Sequence, residues 1–410
     1  MKKFANPLFL SAKEAAAELS ISLPTLYAYV SRGFIRSEAA GEARTRRYRA
    51  DDVRALKGRR APPSETAGMN EKALDWGVPV LESAITAIDD MGTIYRGVPA
   101  LALAESATFE SVATLLWEAQ GDPFAAPPPV VGTDIADVMR MMQDAPAVDR
   151  AMVMLTMANG SDAAAFNRSK EGRLATAARI ARLTTAAIVG APVSAAPIHR
   201  QIADAWAPSL SGAKKEAAAD LLRRALVLLA DHELNASTFT VRVAASTGVN
   251  LYDAVVAGLC AVKGPRHGGV GISAARLVEA FAERDPAIVV RERLEMGERL
   301  PGFGHQLYRL TGDPRAKSLL AALKTAPTQL LRDAPTAVEQ ATGQLPNIDY
   351  ALAVMCRTLG LPPGSELSLF ALGRTAGWIA HAIEQYEQGG LIRPRARYVG
   401  PAPRVGAETR

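Results

Sequence analysis

Five histidines occur in this 410-residue chain, at 199, 232, 267, 305 and 381, and two of them sit in glycine-rich turns. His267 lies in Gly264-Pro265-Arg266-His267-Gly268-Gly269. His305 ends Pro301-Gly302-Phe303-Gly304-His305 and is followed by Asp313-Pro314-Arg315. Glycine admits positive φ and lets backbone approach a ligand closely, so an imidazole on such a turn can be aimed at a small molecule. A third polar cluster, Asp231-His232-Glu233-Leu234-Asn235, carries another histidine. Downstream, Asp349 stands just past a Pro346-Asn347 turn, Arg374 follows Gly373 near what reads as a helix start, and Arg393 and Arg395 flank Pro394 in an extended piece. Arginine forks bind carboxylates bidentately. Neutral histidines donate to carbonyl oxygens, and a carboxylate can abstract a proton next to a thioester. Together these residue types describe a site for a small, multiply charged acid. Singly, each has a plainer reading: a surface turn for a histidine, a helix cap for Asp349, solvated charge for the arginines.

The elements that must hold these residues are mostly helices. From about residue 98 to 390, apolar residues recur at helical spacing, as in Phe109–Trp117 and Asp220–Leu229, and sustained alternating strand runs are absent. Shorter β-prone pieces precede them at Val78–Leu81 and Thr93–Gly97. The tryptophans at 76, 117, 206 and 378 read as core or interface. Gly269-Val270-Gly271-Ile272-Ser273-Ala274 matches a dinucleotide-binding pattern, but no buried strand precedes it and no ribose-binding acid follows about 20 residues on. No clustered Cys/His ligand set occurs, so no structural metal is expected. Two cysteines, Cys260 and Cys356, cannot build a disulfide framework, which fits a reducing cytoplasm. Neither a signal peptide nor an apolar run long enough to span a membrane is visible, so no membrane partner is expected.

The charge is uneven. Residues 1–60 carry 13 Lys/Arg against 6 Asp/Glu, a net of +7, whereas the whole chain is +5. The remainder is therefore −2, and the first sixty residues are the part suited to an anionic polymer. Ser11 with Glu14 three residues on reads as a capping box opening a helix. Ser22 and Pro24 open a second helix that stops at Gly33. Phe34–Arg36 and Arg44–Arg49 read as a basic hairpin, and Asp51–Leu56 as a further helix with two acids in its first turn. Residues 8–57 resemble the winged helix-turn-helix DNA-binding domains of MerR-type regulators. In that reading Thr25, Tyr27 and Arg32 reach into a major groove, and Arg44, Arg46 and Arg47 contact phosphates. A module for partner or subunit contact is the alternative. Lys57–Asn70, with Pro62-Pro63, reads as a linker.

Residues from about 77 to 402 resemble the citrate synthase family. The resemblance rests on Leu81–Thr86 through Tyr95-Arg96-Gly97, on Asp231–Phe239, on Gly264–Gly269 and Gly302–His305, and on Asp313-Pro314-Arg315, Pro346–Asp349 and Arg393-Pro394-Arg395, in that order. It implies an almost wholly α fold. A large domain (71–267 and 363–410) would carry a small one (268–362) that closes over substrate. It implies condensation of acetyl-CoA or propionyl-CoA with oxaloacetate and hydrolysis of the thioester. The coenzyme A ester is then a substrate, and no cofactor or metal is involved. Asp349 would be the base, His267 would stabilise the enol oxygen, and His305 would polarise the ketone. His232, Arg315 and Arg374 would hold carboxylates, Arg393 would do so across a homodimer, and Arg309 would meet CoA phosphates. The chain departs from many relatives at Val270-Gly271, at Gln306, at an inserted Gly312 and at Tyr350–Ala353. A DNA-binding regulator that senses oxaloacetate or a CoA ester with little turnover is the alternative of a different class.

Overall fold

The computed structural model describes residues 9–19, 21–31, 35–39, 46–50, 52–53, 81–89, 92–308, 311–396 and 399–400. The expected linker, Trp76, the β-prone Val78–Val80, and Arg32, Arg44 and Arg309 lie outside the described residues. The chain falls into two compact units, Met1–Glu82 and Ser83–Arg410.

In the first unit, β1 (Phe9–Ser11) leads into α1 (Ala12–Glu18), followed by α2 (Leu23–Ser31), β2 (Ser37–Ala39) and β3 (Arg46–Arg49). The capping box is present: Glu14 N donates to Ser11 Oγ at 3.3 Å and Ser11 N to Glu14 Oε2 at 2.8 Å. The expected hairpin is also present, as β2 and β3 pair antiparallel with Ser37 opposite Tyr48. β1 was not expected. It pairs with the other edge of β3, Leu10 opposite Tyr48, so the basic strand is central. Tyr48 joins Leu10, Leu26, Ile35 and Val53 in a small core. Arg46 and Arg47 stay exposed. Asp52 accepts both Nε (2.9 Å) and Nη2 (2.8 Å) of Arg36, which holds its carboxyl down at about 2.

The second unit opens with an antiparallel sheet of β4 (Thr86–Asp89), β5 (Gly92–Tyr95) and β6 (Val98–Pro99). Helices follow: α3 (Ala100–Ser106), α4 (Phe109–Leu116), α5 (Thr133–Met141), α6 (Ala147–Ser161), α7 (Lys170–Val189), α8 (Ile198–Trp206), α9 (Gly212–Leu229), α10 (Ala236–Ser246), α11 (Leu251–Val262), α12 (Val270–Glu283), α13 (Pro286–Glu295), α14 (Pro314–Ala322), α15 (Ala334–Thr342), α16 (Ile348–Leu359) and α17 (Ser365–Gln388). α17 is the axis of this unit and is buried over nearly its whole length. It lacks proline and is rich in Ala, Leu and Gly, so neighbours pack on every side. Gly377 shows how closely. A Cβ there would stand 2.3 Å from Asp231 Oδ1, and its N donates to Ala230 O at 2.9 Å. Trp117 and Trp378 are core, and Trp206 is half-buried.

Three polar caps set where the candidate residues fall. Asn235 caps α10 by accepting from Thr238 N, just after His232. Asp313 caps α14, with Pro314 in the first turn and Arg315 next to it. Asn347 caps α16, which leaves Asp349 in the first turn. Arg374 is not near a helix start. It lies well inside α17, because Gly373 serves close packing against Leu229 and not a break.

Candidate active site

His232 and His305 meet edge to face with ring centroids 5.4 Å apart. Tyr308 completes the group. Its hydroxyl is 2.9 Å from His232 Nε2, and its ring is 4.9 Å from that of His305 and 5.9 Å from the Arg315 guanidinium carbon. His267 and Arg374 share Phe370, the imidazole 5.6 Å from its ring edge to face and the guanidinium carbon 4.8 Å from its centroid. Residues far apart in the chain thus converge on one polar cluster walled by aromatic rings.

The loops carrying His305 and Asp349 are clamped together. Asn347 N donates to Gly302 O (2.9 Å), Gly304 N to Leu345 O (2.9 Å), and Asn347 Nδ2 to Gly304 O (2.9 Å). Asp313 ties in Arg315 by two bonds of 3.0 and 2.8 Å and accepts from Ile348 N at 3.1 Å. Gly302 has φ +91°, and a Cβ there would lie 3.0 Å from Tyr350 Cβ and 3.1 Å from its backbone. Gly302→Ala is therefore expected to cost about 1–3 kcal/mol of stability, read by urea unfolding. It should also displace His305.

Burial decides the protonation states. It pulls the imidazoles of His267 and His305 down to about 4, with Arg374 adding to the first and Arg315 to the second. Burial, then Arg315, Arg374 and the other two histidines, also holds His232 well below its ordinary value. All three are neutral hydrogen-bonding groups at pH 7. His305 Nδ1 accepts from Leu307 N at 3.2 Å, so the ring proton lies on Nε2. His267 Nε2 is 2.7 Å from Ser237 Oγ, which accepts from Trp378 Nε1 and also lies 2.8 Å from Asn235 Oδ1. The single hydroxyl proton of Ser237 goes either to Asn235 or to His267, and that choice sets which ring nitrogen of His267 is the donor.

The charged residues divide into one acid and two cations. Burial pushes the Asp349 carboxyl up to about 7, with Asp313 adding and Arg315 and Arg374 opposing. Arg315 is buried against Asp313, which raises its guanidinium despite that burial. Arg374 is different. Its Nε donates to Leu229 O at 2.8 Å, while Nη1 and Nη2 are buried with no acceptor among the described residues. Burial lowers it to about 10, so it remains a cation at neutral pH. Among the described residues no group of three or more His, Cys, Asp or Glu could hold a metal ion.

The profile described as "Citrate synthase, C-terminal domain" matches residues 68–395. The chain belongs to the citrate synthase family. Citrate synthase of Haloferax volcanii is 40% identical over 196 residues, which cover 45% of this chain and 51% of that protein. 2-Methylcitrate synthase 2 of Corynebacterium glutamicum is 34% identical over 193 residues, 44% of this chain and 49% of that protein. The chain thus spans about half the length of the curated relatives it matches. A solved structure covers more. The ternary complex of carboxymethyl coenzyme A and oxaloacetate with citrate synthase from Thermoplasma acidophilum aligns with 82% of this chain and 98% of its own, at a TM-score of 0.66 and 27% identity.

For this citrate synthase family member, the cluster gathers His232, His267, His305, Arg315, Asp349 and Arg374. Tyr308, Ser237 and Phe370 belong to it and were not singled out from the sequence. Arg393 is exposed in the stretch after α17, where Ile392 N donates to Ser246 Oγ at 3.1 Å. In the first unit Thr25 accompanies Ser22 at the start of α2, their hydroxyls 2.8 Å apart, and Tyr27 is 51% exposed on the same helix. No helix among the described residues is long and apolar enough to cross a membrane.

Proposed function

We propose that the chain condenses acetyl-CoA or propionyl-CoA with oxaloacetate and hydrolyses the thioester to release CoA. The observation that carries this reading is Arg374, a buried cation whose two terminal nitrogens have no acceptor among the described residues and which stands among three neutral imidazoles. Burying such a group costs several kcal/mol. That cost falls on folding, so the fork is already oriented when a carboxylate arrives. In this reading Asp349 takes the α-proton of the acyl group, and the electron pair moves to the thioester oxygen. His267 donates a hydrogen bond to that oxygen, with Ser237 turned to donate to Nε2. The enolate carbon then attacks the ketone carbon of oxaloacetate, whose developing alkoxide accepts a hydrogen bond from His305 Nε2 and takes its proton from solvent. His232, Arg315 and Arg374 hold carboxylates. Residues 268–362 act as a small domain closing on the large one, and exposed Arg393 reaches the site of a second copy in a homodimer.

Support for the substrates comes from the Thermoplasma acidophilum complex, which holds a CoA derivative and oxaloacetate. Curated relatives include both citrate and 2-methylcitrate synthases. The two acyl groups differ by one methylene, worth only about 1–3 kcal/mol of discrimination. Thiol release with oxaloacetate and either ester tests the proposal. No turnover with either, in folded protein that still binds oxaloacetate, would favour the sensing regulator.

The first unit adds a second function in this reading, as a winged helix-turn-helix on duplex DNA. The exposed Arg46 and Arg47 on the central strand, with Tyr27 on α2, support it. Full-length protein is expected to bind duplex DNA with an affinity that falls steeply with salt. Replacing Arg46 and Arg47 by alanine should flatten the log–log salt slope by about 2. Binding indifferent to salt would leave the unit as an assembly module.

A further inference from the structure

His232 is preceded by a carboxylate with no solvent exposure. Asp231 Oδ2 accepts from Glu233 N at 3.1 Å and faces His381 Nε2 at 3.4 Å. Glu233 is held at φ +52°, in the left-handed region that costs a side-chain-bearing residue strain. The bond from its amide to Asp231 closes the turn that carries His232. Asp231 Oδ1 lies against Gly377, where only a missing Cβ leaves room. The backbone is fastened as well: Asp231 N donates to Tyr95 Oη at 3.2 Å, and that hydroxyl donates to Val227 O at 3.1 Å.

His381 is itself fixed. Arg242 Nη1 can only donate, and it lies 3.2 Å from His381 Nδ1. Nδ1 therefore accepts, and the ring proton lies on Nε2, pointing at Asp231. Arg242 in turn is held by Glu384 and by Gln385 Oε1 at 3.1 Å. Burial alone would raise the Asp231 carboxyl, but His381 and Arg374 more than offset it and hold it below its ordinary value.

We propose that Asp231 and His381 are positioning residues that fix the His232 turn and so set the geometry of the carboxylate-binding side of the site. The role rests on the oxaloacetate reading above. Charge and geometry make opposite predictions for Asp231→Ala. Removing an anion near Arg374 would by itself favour a dianionic ligand. Losing the acceptor for both Glu233 N and His381 Nε2 would misplace His232 and disfavour it. Gln at 381 can donate and accept as the imidazole does, whereas Leu can do neither.

The full-length protein is titrated with oxaloacetate by calorimetry, and the Michaelis constants for oxaloacetate and acyl-CoA are measured separately. Asp231→Ala and His381→Leu should weaken oxaloacetate about tenfold or more with the acyl-CoA constant nearly unchanged, and His381→Gln should recover most of the loss. Tighter or unchanged oxaloacetate binding in Asp231→Ala, or no recovery with Gln, overturns the assignment. If the parent binds no oxaloacetate, the functional reading fails, and histidine NMR still decides the positioning role. The His232 resonances should move in Asp231→Ala and His381→Leu but not in His381→Gln. Unmoved His232 resonances in all three would end the proposal.

Discussion

Asp349→Asn should reduce turnover by at least about a thousandfold while leaving oxaloacetate binding within a few-fold of the parent. The carboxylate is the best base in the proposed constellation, since burial and neighbouring guanidinium groups make the three imidazoles around it poor proton acceptors. With its carboxyl at about 7, Asp349 is poised for proton abstraction at neutral pH. The rate with limiting substrate should therefore fall tenfold per pH unit below about 7 as the base is protonated. Stability must move the other way. An acid raised in the folded state binds its proton more tightly there than in the unfolded chain. Ionising it thus costs the fold nothing below the ordinary carboxylate range, progressively more as pH rises towards 7, and the full amount above that. Asn carries no such cost, so the variant should be more stable than the parent at pH 8, on the order of 2–4 kcal/mol. The advantage should shrink towards pH 4. Urea unfolding at the two pH values reads this directly. An equally stable variant at pH 8 would mean that Asp349 is not held in a desolvated site.

Much of this site was legible before any coordinates. His267 and His305 stood out because glycine-rich turns are poor places for core histidines, and Asn235, Asp313 and Asn347 then proved to be the caps that seat the neighbouring residues. What stayed hidden shared one cause. Phe370 lies in an apolar run where an aromatic ring reads as core, Tyr308 stands between Leu307 and Arg309 with nothing local to mark it, and Ser237 reads as an ordinary helical serine. Each acquires a role only from a partner far along the chain: Tyr308 from His232, Phe370 from His267, Ser237 from Trp378. Local periodicity reports which face of an element is buried, not which distant element covers it. The same limit explains β1, whose partner β3 is some forty residues on. It also explains Arg374, where Gly373 looked like punctuation and is instead the place where α17 packs against α9.

The second large effect concerns that arginine. Arg374→Met should abolish measurable oxaloacetate binding, raising the dissociation constant at least about a hundredfold, because a desolvated fork facing a carboxylate is among the strongest contacts a protein offers. Arg374→Lys should recover little of it. An ammonium is a point charge on a flexible stem and cannot present two parallel donors while a third holds Leu229 O. Thermal unfolding gives the cleanest comparison. A ligand that binds only the folded state stabilises it by about 2.7 kcal/mol at a hundred times its dissociation constant, so oxaloacetate should raise the Tm of the parent and leave that of Arg374→Met unmoved. The contrast with Asp349→Asn makes the pair of variants informative. One keeps the ligand-induced shift and loses turnover, the other loses both, and only a site that binds a dicarboxylate through Arg374 and does its chemistry through Asp349 produces that pattern. A parent with no shift and no turnover would instead remove Arg374 from the binding role, leaving a buried cation whose two terminal nitrogens have no partner among the described residues.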